Sequence, residues 1–403
     1  MLTSVGVPVE STAEPSVPDS DRPTLLCFSH LRWDFVFQRP QHLMSRFAES
    51  MTVVFWEEPM ELGHGGTALL KVRSADDYPN VRIVTPHLPA GMIDDDRTAA
   101  LKRLLDAYSA GLSRPLIAWY YTPMMLPFSR DLDVSVTVFD AMDELSKFRF
   151  APPKLLELEQ ELIDRSDLVF TGGSSLYEAK KGRHDSVHLF PSSVDRKHFE
   201  KARNTLVEPQ DQAEIRRPRL GFYGVIDERF DTDLLGQIAD LRPDWSFVMI
   251  GPVVKISEED LPKRPNIHYL GGKKYEQLPA YLAGWDVALM PFAMNESTQF
   301  ISPTKTPEYL AGGKPVVSTP VRDVVRHYGH LEGVGIAGDP ETFVAECERM
   351  LKLPRNGEWL AEADLLLSAT SWSTTQGRME ALIADKLGER TGSDSSALLV
   401  AAE

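Results

Sequence analysis

From residue 24 onward the sequence repeats one pattern: a short run of β-branched and aromatic residues, then a longer amphipathic stretch. TLLCFS, MTVVFW, VRIVT, LIAWY, VSVTVF, DLVFTG and VHLF are the runs. KLLELEQELIDR, with Leu155, Leu158, Leu162 and Ile163 on one helical face, typifies the stretches between them. Strand then helix, repeated, predicts a parallel sheet covered by helices on both faces. The alternation stops at KARNTLVEPQDQAEIRR, 201 to 217, which is polar and lacks a strand pattern. It restarts with RLGFYG, SFVMIG, NIHYLG, DVALMP, KPVVST and VGIA. This predicts a linker between two α/β domains, as expected for 403 residues at roughly 100 to 200 per domain. Most runs end at Gly, Ser, Pro or Asp, so the carboxyl ends of the strands open into tight turns. Ligands of open α/β sheets bind at those ends, and two such domains facing each other would make a cleft.

Composition narrows the function. Hydrophobic residues at 42% and charged residues at 25% are average for a soluble globular chain, which excludes disorder and a disulfide scaffold. Cys27 and Cys347 have no CxxC or Cys/His partner for zinc and read as buried thiols. A net charge of −16 with no concentrated basic patch excludes nucleic acid, yet a few cations focused in one cleft can still hold a small anion. No apolar run reaches the roughly 18 residues of a membrane span. The first basic residue is Arg22, so no signal peptide is expected and the location reads as cytoplasmic. Residues 1–21 and 389–403 read as flexible tails. No GxGxxG follows the first strand, and GxxxxGK[ST], HExxH and GxSxG are missing, which disfavours a dinucleotide oxidoreductase or P-loop ATPase.

SPTKTPEYLAGGKPVVSTP, 302 to 320, carries the strongest local signal. Pro303 or Pro307 fits a first helical turn, Ser302 or Thr306 a cap, and Gly312 with Gly313 a helix end. A helix start with Ser302, Thr304 and Lys305, at the carboxyl end of a strand, suits a diphosphate. Glu308, farther along, suits paired ribose hydroxyls. GFYGVIDERFD, 221 to 231, adds Gly224 for close backbone approach and Arg229 as a second cation. Strand VSVTVF delivers Asp140 and Asp143 to its carboxyl end, where a base or hydroxyl-orienting role fits. SHLRWDFVFQRPQHLMSRFA brings His30, Arg32, Trp33 and Arg39 to a loop suited to a sugar or other acceptor. The DxD pairs at Asp131/Asp133 and Asp231/Asp233 read as caps and turns, and His327 with His330 lacks a third ligand, so no metal site is expected.

With these residues in hand, the chain resembles the GT-B glycosyltransferases, over about 24 to 388, and within them the retaining family 4 and its teichuronic-acid-type transferases. PEYLAGGKPVVSTP is similar to that family's glutamate helix and following strand, with Glu308 as the ribose-binding glutamate. GFYGVIDERFD is similar to its diphosphate loop, with Arg229 as the arginine and Lys305 or Lys255 as the partnering lysine. LFPSSVDRKHF resembles the hinge segment, with Ser192 and Ser193 replacing Asn-Gly. SWSTTQGRMEALI resembles the terminal helix that crosses back. The segment around Gly271 corresponds to the region that holds the base through backbone groups. Two departures stand out. Phe300 occupies the position where a glutamate commonly contacts the donor sugar, leaving Asn295, Glu296 or backbone amides as substitutes. Bulky HLRWD replaces the first loop's diglycine.

The resemblance implies two Rossmann-like parallel-sheet domains facing a cleft, with a C-terminal helix crossing back to the first. It assigns residues 22–205 to an acceptor domain, completed by a helix at about 372–388, and 206–371 to a donor domain. It implies transfer of a sugar from a nucleoside diphosphate sugar, as co-substrate and without other cofactor, to a glycan or lipid-linked saccharide, in cell-surface polysaccharide or glycolipid synthesis. Arg229, Lys305 and, on one reading, Lys255 would stabilise the leaving diphosphate without metal. Retention is expected, with inversion by Asp143 as general base the alternative. A lipid-linked acceptor would bring the protein to the inner face of the membrane as a peripheral contact. Two other readings of such a chain are a nucleotide-sugar epimerase of this fold and a non-catalytic nucleotide-sugar-binding protein.

Overall fold

The computed structural model describes residues 8–11, 22–63, 65–204 and 207–400. Ten strands form the first sheet: β1 (Val9–Ser11), β2 (Thr24–Ser29), β3 (Thr52–Glu57), β4 (Met60–Leu62), β5 (Leu69–Ala75), β6 (Tyr78–Pro89), β7 (Leu116–Tyr120), β8 (Val136–Ala141), β9 (Leu168–Thr171) and β10 (Val187–Leu189). Their order is β1-β5-β6-β3-β2-β7-β8-β9-β10, with β4 on β6. Along β2, alternate side chains feed opposite faces: Leu25 and Cys27 enter one core, Leu26 and Phe28 the other. A helix over Asp94–Ser109 covers the second face through Leu101, Leu104 and Leu105. Both Cys27 and Cys347 are buried free thiols, as the sequence indicated.

The second sheet comprises β11 (Arg219–Tyr223), β12 (Ser246–Ile250), β13 (Ile267–Tyr269), β14 (Val287–Met290), β15 (Val316–Ser318) and β16 (Val334–Ile336), in the order β13-β12-β11-β14-β15-β16. Counted from its own first strand this is 3-2-1-4-5-6, and every pairing is parallel. The order reverses between β11 and β14, and the turns leaving these two strands diverge to open a crevice.

Three features depart from the sequence reading. β5 runs antiparallel to β6, so the first sheet is not parallel throughout: the connection Asp76–Asp77 is too short for a crossover, and only antiparallel strands can be joined by a tight turn. Val9–Ser11, expected within a tail, pairs with Leu70–Val72 at the sheet edge. The rest of 1–21 except Pro8, and residues 401–403, lie outside the described residues. The last helix starts at Trp372 and continues to Val400, past the expected boundary at 388. It crosses to the first domain, where Trp372, Met379 and Ile383 are buried in the core beside Leu43 and Phe47. Ser50 Oγ donates to Glu380 Oε1 at 2.6 Å and fixes the same contact at its rim. Among the described residues no helix is long and apolar enough to cross a membrane.

Candidate active site in the interdomain cleft

A cavity of about 710 Å³ lies between the domains, at the carboxyl ends of β11 and β14, within the range of small-ligand pockets. Gly224 follows β11 directly, with φ +143°. A Cβ there would collide with Cε of Lys305, so the bare backbone is what admits the lysine. Lys305 opens the helix Lys305–Ala311. Its ammonium lies 5.7 Å and 5.9 Å from the ring centres of Phe222 and Phe292, and makes no hydrogen bond or ion pair among the described residues. Burial lowers its pKa, and the nearby Arg229 guanidinium lowers it further, against the opposing pull of Glu308.

One turn along, Glu308 is buried, and the Tyr223 hydroxyl donates to its Oε2 at 2.9 Å. Burial pushes this carboxyl up to about 7, partly countered by Lys305 and by the Tyr223 hydrogen bond. Arg229 is gripped by Asp227, which accepts from Nε at 3.0 and 3.1 Å and from Nη2 at 2.7 Å. Burial alone would weaken its protonation, but the Asp227 hydrogen bonds and charge hold its pKa above the usual value. Ser302, Thr304 and Asp143 line the same cavity. Asp143 has its carboxyl raised by burial, with Arg229 the strongest opposing influence and Asp227 adding to the rise.

The helix start differs from expectation in one respect: Thr304 holds the cap position without a side-chain cap bond, and Ser302 is used elsewhere. Its carbonyl accepts from Ser192 Oγ at 2.7 Å, joining the domains. Gly312 and Gly313, the latter at φ +71°, end the helix as the sequence indicated.

Of the other candidates only Trp33 and Arg39 reach the cavity lining. Glu296 is 77% exposed and pairs with Lys147 at 3.3 Å. Asn295 is spent locally, accepting from Ser297 and donating to the Glu228 carbonyl. Gly271 is exposed outside the cavity; its carbonyl accepts from Gly251 N at 3.0 Å, and it is Gly272 that reaches the lining. Lys255, at φ +64°, sits 3.6 Å from Glu228 and 4.8 Å from the Phe148 ring centre. Arg32 pairs with Glu57 at 3.0 Å within the first domain. Arg39 borders the cavity, but its guanidinium is consumed by Asp140, at 3.0 and 2.8 Å, and by the Phe190 carbonyl at 2.8 Å. Asp140 is thus the buried counter-ion of Arg39 and is unavailable to a ligand. His30 also lies off the cavity, its imidazole held neutral with a pKa lowered to about 4 by burial and by Lys255. Trp33 lines the cleft, its ring edge-to-face with Phe55 and Tyr78.

The sequence reading passed over Asp227, Tyr223 and Phe148. Asp227 stands two residues before Arg229 and accepts from its backbone N at 3.0 Å, a local turn whose Asp-x-Arg spacing is visible in the sequence. Phe148 reaches from the first domain to within 5.2 Å of the Arg229 guanidinium, and no local pattern announces that contact. Asp231 accepts from Leu234 N at 2.8 Å, which makes that DxD pair a helix cap as expected. Among the described residues no group of three or more His, Cys, Asp or Glu is placed to hold a metal ion.

Residues 217–353 match the sequence family described as glycosyl transferases group 1. The putative teichuronic acid biosynthesis glycosyltransferase TuaH of Bacillus subtilis is 29% identical over 219 residues, 51% of this chain. That alignment spans about half of the relative, 53% of its length. Among solved structures, sucrose-phosphate synthase from Thermosynechococcus elongatus superposes with a TM-score of 0.65 at 14% identity, over 91% of this chain and all of that one. A structure described as trehalose-6-phosphate from E. coli bound with UDP-2-fluoro glucose gives 0.63 at 14% identity, covering 90% and 99%. Anabaena HepE in complex with UDP and glucose gives 0.62 at 12%, covering 89% and 99%. The whole chain thus shares the two-domain GT-B fold of these structures, and residues 217–353 of its second domain are similar in sequence to the group 1 glycosyl transferases.

Proposed function

We propose that this protein transfers a sugar from a nucleoside diphosphate sugar, held by the second domain, to a glycan or lipid-linked saccharide presented by the first, in cell-surface polysaccharide synthesis. The observation that carries this reading is the Lys305 ammonium: partly buried, beside Arg229 and Glu308, and without a hydrogen-bond partner among the described residues. A buried charge is expensive unless paired, so such a lysine is complementary to an anionic ligand. The family match and the UDP-bound relatives support a nucleotide diphosphate as that anion.

In this mechanism the diphosphate gains negative charge as the glycosidic bond breaks. Lys305 and the Asp227-held Arg229 stabilise it where it develops, in a site partly shielded from water. Glu308, once ionised, accepts from the ribose hydroxyls. The leaving phosphate takes the acceptor hydroxyl's proton on the face from which it departs, so the anomeric configuration is kept, and Asp143 orients that hydroxyl. The cations do this work without a metal. The test is a thermal-shift series with UDP, GDP, ADP, dTDP and their sugars, with and without EDTA. A ligand at 100 times its Kd stabilises by about 2.7 kcal/mol. One nucleotide class should shift the melting temperature regardless of EDTA, and Lys305→Ala should shrink that shift to about half or less. Absence of any shift at millimolar nucleotide would overturn the reading.

A further inference from the structure

A second cavity, of about 820 Å³, opens at the opposite end of the second sheet, where Pro218, Asp286 and Pro315 precede β11, β14 and β15. The strands are four to five residues long where they separate the two ends, so at about 3.3 Å per residue the cavities are some 15 Å apart. Nothing in the proposed transfer reaction uses this place.

Its charges are unbalanced. Lys314 is only 8% exposed, and its ammonium donates to the Ala283 and Trp285 carbonyls at 3.0 and 2.9 Å with no carboxylate in contact. Arg217 pairs with Asp286 Oδ1 at 2.7 Å, and Arg355 reaches the same oxygen only at 3.6 Å while remaining 80% exposed. The other oxygen, Oδ2, is occupied by the Arg219 backbone N–H at 2.8 Å. The remaining charged lining groups are spoken for: Arg203 by Asp364, at 2.8 and 2.7 Å, and Glu208 by Arg219. Two arginines therefore share one saturated carboxylate and the neighbouring Lys314 has none in contact, so three cations face one anion, in a chain whose net charge is −16. Burial, with Arg355 and Arg217 adding to it and Asp286 opposing, pulls the Lys314 pKa down to about 8.

We infer that this cavity is a second anion site, formed by Lys314, Arg217 and Arg355, that takes a phosphoryl group of a small phosphorylated molecule. The size fits such a ligand, and a dianion would balance the two uncompensated charges. The site lies beside the far end of the helix Lys305–Ala311, where Arg203 holds the Leu310 and Ala311 carbonyls.

The test is calorimetric titration of the full chain with inorganic pyrophosphate, which suits both cavities. Lys305→Ala and Arg355→Glu distinguish them, and the exposure of Arg355 lets its charge be reversed without touching the core. The expected result is two binding events in the parent chain. One should survive in Lys305→Ala, and that one should weaken at least 10-fold when Arg355→Glu is added. Pyrophosphate binding that vanishes in Lys305→Ala, or a surviving event indifferent to Arg355→Glu, would overturn the second site and leave the donor site standing. A single event lost in Arg355→Glu but kept in Lys305→Ala would support the second site and count against the donor site.

Discussion

At the scale of single residues the site is an arrangement of charges whose protonation depends on what is bound. Lys305→Ala removes one charge-assisted contact to the leaving diphosphate, worth about 1.5 to 3 kcal/mol, so turnover should fall roughly 10- to 150-fold. Circular dichroism should show an unchanged fold, because Lys305 has no internal partner to lose; steady-state rates that stay at the parent value would remove the mechanism. Glu308 gives a pH dependence. Its carboxyl, pushed up to about 7 by burial, must be ionised to accept from both ribose hydroxyls at once. Donor affinity should therefore be full above pH 7 and weaken about tenfold per unit below it. The Lys305 shift is downward, so affinity should also fall on the alkaline side, earlier than a free lysine would imply. For unliganded stability the sign is opposite: the Glu308 pKa lies above its unfolded value, so its contribution is greatest below pH 4.5 and is lost as pH rises through 7. Titrations of nucleotide at pH 5.5, 6.5 and 8 should show the acid limb, and Glu308→Gln should flatten it. Arg229, Lys305 and Glu308 could be placed beside one cleft from sequence because each lies in a contiguous motif that follows a strand, Arg229 six residues after β11 and the other two on the helix that comes after β14. The bond between Arg39 and Asp140 spans 101 positions, so both looked available when each satisfies the other.

At the scale of elements, the short strand-to-loop turns decide where side chains arrive. Gly224 leaves β11 at φ +143°, and its missing Cβ is the space Lys305 fills. Gly224→Ala should displace the lysine and strain the turn, since that region of backbone space is rarely open to other residues. The expected outcome is at least a 10-fold loss in donor affinity with stability reduced by about 1 to 3 kcal/mol. Calorimetry and urea unfolding check the two numbers, and normal affinity would mean that Lys305 does not depend on this gap. The central strands were legible because, buried on both faces, they are continuous apolar runs. β1 and β5 were not: β1 is the edge strand, with Val9 and Glu10 exposed, and β5 beside it fully buries only Leu70 and Ala75, so the apolar signal is diluted. The helix beyond 388 was hidden for a related reason, since Leu387 still packs against the first domain's core but the sequence GERTGSDSS that follows carries no apolar stripe.

At the scale of the whole molecule, the cleft exists only as long as the two domains keep their relative positions, and a few polar contacts hold them. Asp323, buried in the second domain, accepts from Ser174 N at 2.8 Å, Ser175 N at 3.1 Å and Ser175 Oγ at 2.6 Å. These are the first residues of the first-domain helix Ser174–Lys180, whose amide donors would otherwise lack partners. Ser174 Oγ also meets His327 Nε2 at 2.8 Å, while Lys147 with Glu296, and Phe148 over Arg229 and Lys255, close the opposite lip. The apolar cores are separate: the second domain's cluster contains no residue of the first sheet. Asp323 is thus a tether between bodies with separate apolar cores. Removing it leaves two amides and a hydroxyl without their acceptor, at about 1 to 3 kcal/mol for a buried group that stays unsatisfied. Water will reach them if the domains part, so the system lowers that cost by opening. Asp323→Ala should therefore lower the melting temperature by only a few degrees, raise the radius of gyration in small-angle scattering, and weaken substrate use chiefly through KM. Diphosphate binding to the second domain alone should stay near the parent value, because Lys305, Arg229 and Glu308 all belong to that domain. A variant with parent scattering and parent KM would mean that the lip contacts suffice and that Asp323 only caps the helix Ser174–Lys180.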